Sequence, residues 1–327
     1  MVKQVLIIGG GGMIGQKVAR ALHQQGDAYQ VDLADVAFPQ SGAPHHTQTL
    51  GDVTDRGFLE KLVAPQPEVI LFLASIVSGE AEVDFEKGWH TNMLAMWQML
   101  ETLRAAHMAS EGTYRPRFVF TSSVAVFGAP LPDPIGDDFR ATPRSSYGAQ
   151  KVACEQMVND FSRKGFIDGI SLRLPTISVR PGAANKAATS FFSGIIREPL
   201  NGQEAILPVK TSARHAHASP RSAVGFLLHA MQLDTQRLEG LTALNLPCIS
   251  VTVEEQIEAL RNVAGSRTVD LIRYEHDDLI AGLVENWPRS FHAARAHALG
   301  FVAESSFREI VEAYLEDDFE GQRPGGT

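Results

Sequence analysis

The chain has 327 residues, 44% hydrophobic and 20% charged, an ordinary globular composition with room for one large domain or two intimate ones. Its net charge of -9, with both signs mixed along the chain rather than blocked, argues against a nucleic-acid groove or an anionic membrane as partner and leaves a small molecule. Cys154 and Cys248 make neither a disulfide framework nor a metal-ligand spacing, no apolar stretch approaches the roughly 20 residues of a spanning helix, and Met-Val-Lys leads into a strand rather than a signal peptide, so a cytoplasmic setting is expected.

From the start, short β-rich apolar runs alternate with longer segments of helical period, the pattern of a doubly wound parallel sheet with helices on both faces. Strands are predicted over 4–8, 29–34, 46–50, 69–73, 117–121 and 169–174, with helices over 13–25, 56–63, 85–107 and 147–164. After Pro175 the rhythm changes. A Gly/Ala/Pro-rich stretch over 180–186 leads to the apolar run 191–196, a short hairpin around 203–209, a helix over 220–233 and a strand over 242–246. A further helix is opened by Thr252, with Glu254 and Glu255 in its first turn, and the tail 320–327 reads as frayed. The expectation is a nucleotide-binding domain over 1–175 and a smaller substrate-binding lobe over 176–327, with segments near 220–247 returning to the first.

The run QVLIIGGGGMIGQKVARAL joins a strand, a glycine cluster and an amphipathic helix in the order a Rossmann-type dinucleotide site requires. Glycines make the turn tight and bring the backbone close to a pyrophosphate at the helix N-terminus, where Met13 and Ile14 stand. Gly9, Gly12 and Gly15 give one register and Gly10, Gly12 and Gly15 another, and the motif does not choose. The second strand should end in an acid for the adenosine ribose hydroxyls, about 20 residues past the last glycine. Asp35 closes its run and is preferred to Asp32, which lies mid-run. No arginine closely follows either, and a carboxylate repels a 2′-phosphate, so NAD is expected rather than NADP. Asp52, beside Val53, is placed either to bond the adenine amino group or to cap the next helix.

Tyr147 and Lys151 lie one helical turn apart, so phenol and ammonium share a face. A free phenol ionises near pH 10, too high for a base at neutral pH, and a neighbouring lysine favours its phenolate. In sequence order, the GxxGxxG opening, Asn92 after the fourth strand, Thr121-Ser122-Ser123 ending the fifth, then Tyr147 and Lys151, the chain resembles the extended short-chain dehydrogenase/reductases of the NAD-dependent epimerase/dehydratase family. The likeness is clear up to about Arg180 and looser beyond. It implies bound NAD, with Tyr147 as acid/base, Lys151 also on the nicotinamide ribose, Ser123 bonding the substrate oxygen beside a structural Ser122, and Asn92 positioning the lysine. It also implies that Leu73-Ala74-Ser75 lines the cofactor and that Pro175-Thr176-Ile177 lies near the carboxamide. Phe127 stands where many sugar-modifying relatives carry tyrosine. Relatives pair as homodimers through the helices bearing Asn92 and Tyr147, where Met93, Met96, Trp97 and Leu100 permit this but equally suit a core.

Stretches at 75–80, 123–134, 173–177, 191–195, 197–200 and 214–221 resemble the D-erythronate dehydrogenases within that family. This implies oxidation of a four-carbon sugar acid at its C2 hydroxyl to the 2-keto acid, with hydride to NAD and the proton to Tyr147. A small aldonate carries one carboxylate and several hydroxyls, which Ser75, Ser78, Ser123, Tyr147, Thr176, Arg180, Arg214 and His217 are expected to meet, though an ion pair accounts for each basic residue equally well. No metal is expected, since His45, His46 and His107 have no ligand spacing. The alternatives are a nucleotide-sugar epimerase or dehydratase that retains NAD, and a non-catalytic NAD-binding regulator, against which both Tyr147 and Lys151 are kept.

Overall fold

The computed structural model describes residues 2–40, 42–43, 46–182 and 189–321. His45, most of the stretch 180–186 and the tail beyond Gly321 therefore lie outside the described residues. Two compact units share the chain: Met1–Val126, Ser145–Arg173 and Val224–Leu244 make the first, and Phe127–Arg144, Leu174–Ala223 and Asn245–Thr327 make the second.

The first unit is built on β1 (Lys3–Ile8), β2 (Tyr29–Asp35), β3 (Thr47–Leu50), β4 (Val69–Phe72) and β5 (Arg117–Ser123), joined by Asp168–Leu174 and Ala243–Asn245. In space the seven strands run Ala243–Asn245, Asp168–Leu174, β5, β4, β1, β2, β3. β1 pairs in parallel with both β2 and β4, Ile8 lying opposite Ala34 on one side and Phe72 on the other. Strand order reverses there, at the carboxyl ends of β1 and β4, which is where such sheets take ligands. Every residue of β4 is buried, as expected of a strand covered on both faces. Between the sheet and its helices, Ile8, Phe72, Phe118 and Phe120 pack with Leu59, Met99, Leu103 and Val158. Each such side chain is worth about 1.5–3 kcal/mol on burial.

The helices of this unit include α1 (Met13–His23), α2 (Arg56–Val63), α3 (Ser78–Val83), α4 (Phe85–Trp89), α5 (Ala95–Ala109) and α6 (Ser146–Arg163). The single helix predicted over 85–107 is corrected: a π-helical turn, His90–Leu94, separates α4 from α5. The wider turn carries Asn92 into the interior while Met96, Met99, Leu100 and Leu103 keep the core-facing stripe of α5. Of the residues singled out for pairing, Met96 and Leu100 are wholly buried, whereas Trp97 is 45% exposed. The late helix Pro220–Gln232 reaches this unit from Val224 onward. Arg117 ties it down, bonding the Ala230 carbonyl at 2.6 Å and the Asp168 carboxylate at 2.6 Å.

In the second unit the hairpin expected around 203–209 is replaced by a parallel pairing of Ala205–Leu207 with the distant Ile272–Tyr274. Pro208 has no N–H to give a returning strand, and Val209 turns into the core instead. The helix Val253–Ala264 opens as its sequence indicates: Thr252 Oγ1 accepts from the Glu255 amide at 3.1 Å and Glu255 accepts from the Thr252 amide at 2.6 Å. A three-stranded sheet orders Ile249–Thr252, Arg214–Ala218 and Thr176–Ile177, and carries two histidines into the core. His215 stacks on Phe192 with ring centres 5.0 Å apart, and His217 meets Phe307 edge-on at 5.5 Å.

Burial pulls the His215 pKa from 6.5 to about 4, and burial together with nearby His215 holds His217 well below its ordinary value. Both rings fold neutral, so the unfolded chain binds more protons below pH 6.5, and stability is complete above that value and lost as pH falls toward 4. His215 alone should cost about 3 kcal/mol across that window. Thermal unfolding from pH 8 to 4 should show this decline, flattened in His215→Gln; equal slopes for both proteins would remove His215 as its source.

Candidate active site

The glycine turn closes over the end of β1. Gly9 and Gly10 both donate to the Ala34 carbonyl, at 2.9 and 3.1 Å, while Leu73 and Ala74 donate to Ile8, at 2.8 and 3.0 Å. The cofactor-lining turn inferred from resemblance is thus stacked directly against the glycines. Gly9 has φ +88°, and a Cβ there would lie 2.6 Å from the Ala74 nitrogen; one at Gly15 would lie 2.5 Å from the Gly9 carbonyl oxygen. Gly12 differs, since a Cβ there meets only the Gly9 oxygen, at 3.4 Å. It is the N-cap of α1, without a side-chain cap or an acid in the first turn. The helix start at Met13 and Ile14 is therefore open to an anion, as a pyrophosphate requires.

Asp35 leans over this turn. Its Oδ2 accepts from Gly11 N at 2.9 Å and its Oδ1 from Val36 N at 2.7 Å. Asp32 lies back along the strand opposite Thr47, which favours Asp35 at the ribose position. Asp52 does not cap α2: its Oδ1 takes the amide and hydroxyl of Thr54, both at 2.8 Å, and the cap is Asp55. Val53 is buried beside it.

α6 begins where Ser145 Oγ accepts from Gly148 N at 3.1 Å and Glu82 accepts from Ser146 N at 2.9 Å. Tyr147 follows at once. Lys151 is 2% exposed, and its Nζ donates to the Thr121 carbonyl at 2.9 Å and lies 5.4 Å from the centre of the Tyr147 ring. Ser123 ends β5 two residues on from that carbonyl, its Oγ accepting from Ala125 N at 3.1 Å. Asn92, expected to help position the lysine, is held on two sides. Its Oδ1 accepts from Ser75 Oγ and Ile76 N, each at 2.9 Å, and its Nδ2 donates to Gln150 Oε1 at 2.7 Å. The side chain thus bolts the turn that follows β4 to the residue preceding Lys151. Ser78 opens α3 just beyond.

The remaining proposed substrate residues belong to the second unit, as do Pro175 and Ile177. Thr176 bonds His215 Nε2 at 2.6 Å. Arg180 donates through Nε to the Ile177 carbonyl at 2.9 Å and through Nη2 to Thr189 Oγ1 at 3.3 Å. Arg214 bonds the Ser250 carbonyl at 2.9 Å and pairs with Glu255 at 3.5 Å, the structural role weighed against a ligand contact. The expectation for His217 is overturned: it is 0% exposed, with Ser178 Oγ 3.3 Å from Nδ1 and Gln256 3.2 Å from Nε2, and burial keeps it uncharged. Phe127 packs between Phe139 and Phe291, ring centres 5.9 Å from each, so an apolar contact fills its position. Burial pushes both cysteine thiols up to about 12, and the described residues include no group of three His, Cys, Asp or Glu arranged to hold a metal.

A family model described as the NAD dependent epimerase/dehydratase family matches residues 5–236. The chain belongs to that family. It is 42% identical to D-erythronate dehydrogenase of Cupriavidus necator, covering 96% of this chain and 98% of that protein. D-erythronate dehydrogenase of Haemophilus influenzae is 39% identical over 96% of this chain and 99% of its own length. A crystal structure described as the nucleoside-diphosphate-sugar epimerase from Agrobacterium tumefaciens superposes with a TM-score of 0.92 at 49% identity, covering 97% of this chain and 94% of that one. As a member of this family, the protein is an NAD-dependent oxidoreductase with a Rossmann-type sheet. The residues present fit NAD: the open helix start at Gly12 suits the pyrophosphate and the Asp35 carboxylate suits the ribose.

Two supports of this nucleotide site escape sequence reading. Gln16 Nε2 donates to the Gly10 carbonyl and its Oε1 accepts from Ala43 N, both at 2.5 Å, and Gln150 holds Asn92. Their signal was a glutamine on a helix face otherwise committed to the core. The glycine geometry separates two variants. Gly12→Ala should melt like the parent yet lose most NAD affinity, whereas Gly15→Ala should destabilise the fold, as read by thermal unfolding and calorimetric NAD titration; parent-like NAD binding by Gly12→Ala would refute the anion site.

Proposed function

We propose that this protein oxidises a small sugar acid with NAD, acting on D-erythronate at C2 to give 2-dehydro-D-erythronate. The supporting observation is the Lys151 ammonium held by the Thr121 carbonyl at 2.9 Å, beside the Tyr147 ring and two residues from Ser123. The names of the two dehydrogenases near 40% identity supply the substrate. Ser123 donates to the reacting oxygen, and Tyr147, beside the Lys151 ammonium, takes the hydroxyl proton. NAD, when bound, supplies the acceptor for the hydride. Asp35 takes the adenosine ribose, Asp52 the adenine edge, and Leu73, Ala74, Ser75, Pro175 and Ile177 line the cofactor. Ser75, Ser78, Thr176 and Arg180 are the residues proposed for the acid's carboxylate and remaining hydroxyls.

The epimerase description of the 49% identical structure favours a second reading, nucleotide-sugar chemistry with NAD retained. An assay at the nicotinamide absorption band with D-erythronate, L-threonate and UDP-sugars separates the two. We expect NADH to accumulate with D-erythronate and Tyr147→Phe to lower kcat about a thousandfold. Conversion of a UDP-sugar without NADH release would replace the proposal, and full activity in Tyr147→Phe would revive a non-catalytic regulator. We also infer a homodimer formed through α6 and the helical segment bearing Asn92, with Leu94 at the end of the π-turn and Trp97 on α5 exposed to receive the partner. Light scattering should give a dimer for the parent and a monomer for Trp97→Glu; a monomeric parent ends that inference.

A further inference from the structure

Behind the proposed catalytic pair lies a charged group that the chemistry does not use. Tyr147, Lys151 and Glu155 recur every fourth residue along α6, so they form one ridge facing the sheet. Glu155 is 1% exposed, and a buried carboxylate persists only where donors surround it. Three do. Ser122 Oγ donates to Oε1 at 2.6 Å, and the Arg173 guanidinium bonds both oxygens, Nε to Oε1 at 2.9 Å and Nη2 to Oε2 at 2.8 Å. Ser122 is 3% exposed and stands on β5 between Thr121, whose carbonyl holds Lys151, and Ser123. Arg173 comes from the neighbouring strand Asp168–Leu174.

The geometry points to Ser122, Glu155 and Arg173 as positioning residues, a buried latch that fixes the axial register of α6 on β5 and so the spacing of Tyr147 from Ser123. An ion pair buried this deeply adds little net stability over an apolar packing of equal volume, because both charges must leave water. Its well-attested use is to specify register. The lysine bond fixes one point of α6 on β5, at Thr121. A second attachment, one turn further along and on the adjacent residue of the same strand, fixes another, and two points on one strand set the register where one does not. The two-pronged geometry matters as much as the charge, since a planar guanidinium admits one orientation of the carboxylate and an ammonium admits many.

The kinetic arm of the test rests on the dehydrogenase reading; a second arm does not. Ser122→Ala removes one hydroxyl and leaves the ion pair intact, so it should fold. We expect its kcat to fall about tenfold or more, with KM for NAD and for the acid within about twofold, because a displaced acid/base costs rate rather than ground-state binding. Ser122→Thr, which keeps the hydroxyl, should restore most of the rate. Parent-like kcat in Ser122→Ala, a loss confined to melting temperature, or a Ser122→Thr as slow as Ser122→Ala would each overturn the latch. Should the parent reduce no NAD with any acid, the functional reading fails by itself. Backbone hydrogen exchange over 146–152 then decides the latch without turnover: faster exchange in Ser122→Ala than in the parent and Ser122→Thr sustains it, and equal exchange in all three ends it.

Discussion

An ammonium withdrawn from water needs a fixed acceptor, and the first unit is arranged so that Lys151 has one. The Thr121 carbonyl is available because β5 ends at Ser123, leaving its last residues at the sheet's carboxyl edge. α6 must then run along that edge, with Tyr147 one turn before the lysine and Glu155 one turn after it. Remove the lysine bond and the phenol has neither a nearby positive charge nor a reason to face β5. The sheet, the helix start and the π-turn at Asn92 can each be understood as holding this contact steady.

The nucleotide end follows from a separate constraint, the reversal of strand order between β1 and β4. Backbone from the two strand ends converges there, Gly9 against Ala74, closely enough that only glycine fits. Asn92 links the two constraints, because its amide bonds Ser75 and Ile76 on one side and Gln150 on the other. A shift of the turn at Leu73, Ala74 and Ser75 is thereby felt at the residue beside Lys151. The family likeness implied that Asn92 helps position the lysine; which carbonyls and amides a π-turn brings within its reach is not readable from periodicity.

The elements of the first unit were legible because each carries a local cause. β1 ends in an unbroken apolar run and β4 is one, α2 falls where its apolar spacing puts it although its cap is Asp55 and not Asp52, and in the second unit the Thr252 capping box marks its helix directly. The Tyr147 and Lys151 pair was legible because helical spacing is fixed chemistry. What was not legible depends on long-range partners. Ala205–Leu207 looked like half of a hairpin, but its partner is Ile272–Tyr274, far along the chain. His217 looked like a cation for a carboxylate, yet lies in a core where only the neutral ring is tolerated. Glu155 and Arg173 are ordinary charges in sequence and become a buried pair only when helix and strand are laid together.

Proton removal and hydride transfer are common to a dehydrogenase and to an epimerase, so the same acid/base pair serves either. The relatives' names divide along the same line. The difference must arise from how the substrate is gripped. A nucleotide-sugar offers a large remote group whose binding energy can orient the reacting carbon, whereas a four-carbon acid has no remote part. All of its orientation must come from charge-assisted bonds to one carboxylate and from hydroxyl contacts next to the reacting carbon. With His217 neutral and Arg214 paired to Glu255, the second unit has fewer cations to offer than its sequence suggested. The carboxylate's partners are therefore to be sought among the arginines and hydroxyls proposed above, of which the Arg180 guanidinium is held by the Ile177 carbonyl and Thr189.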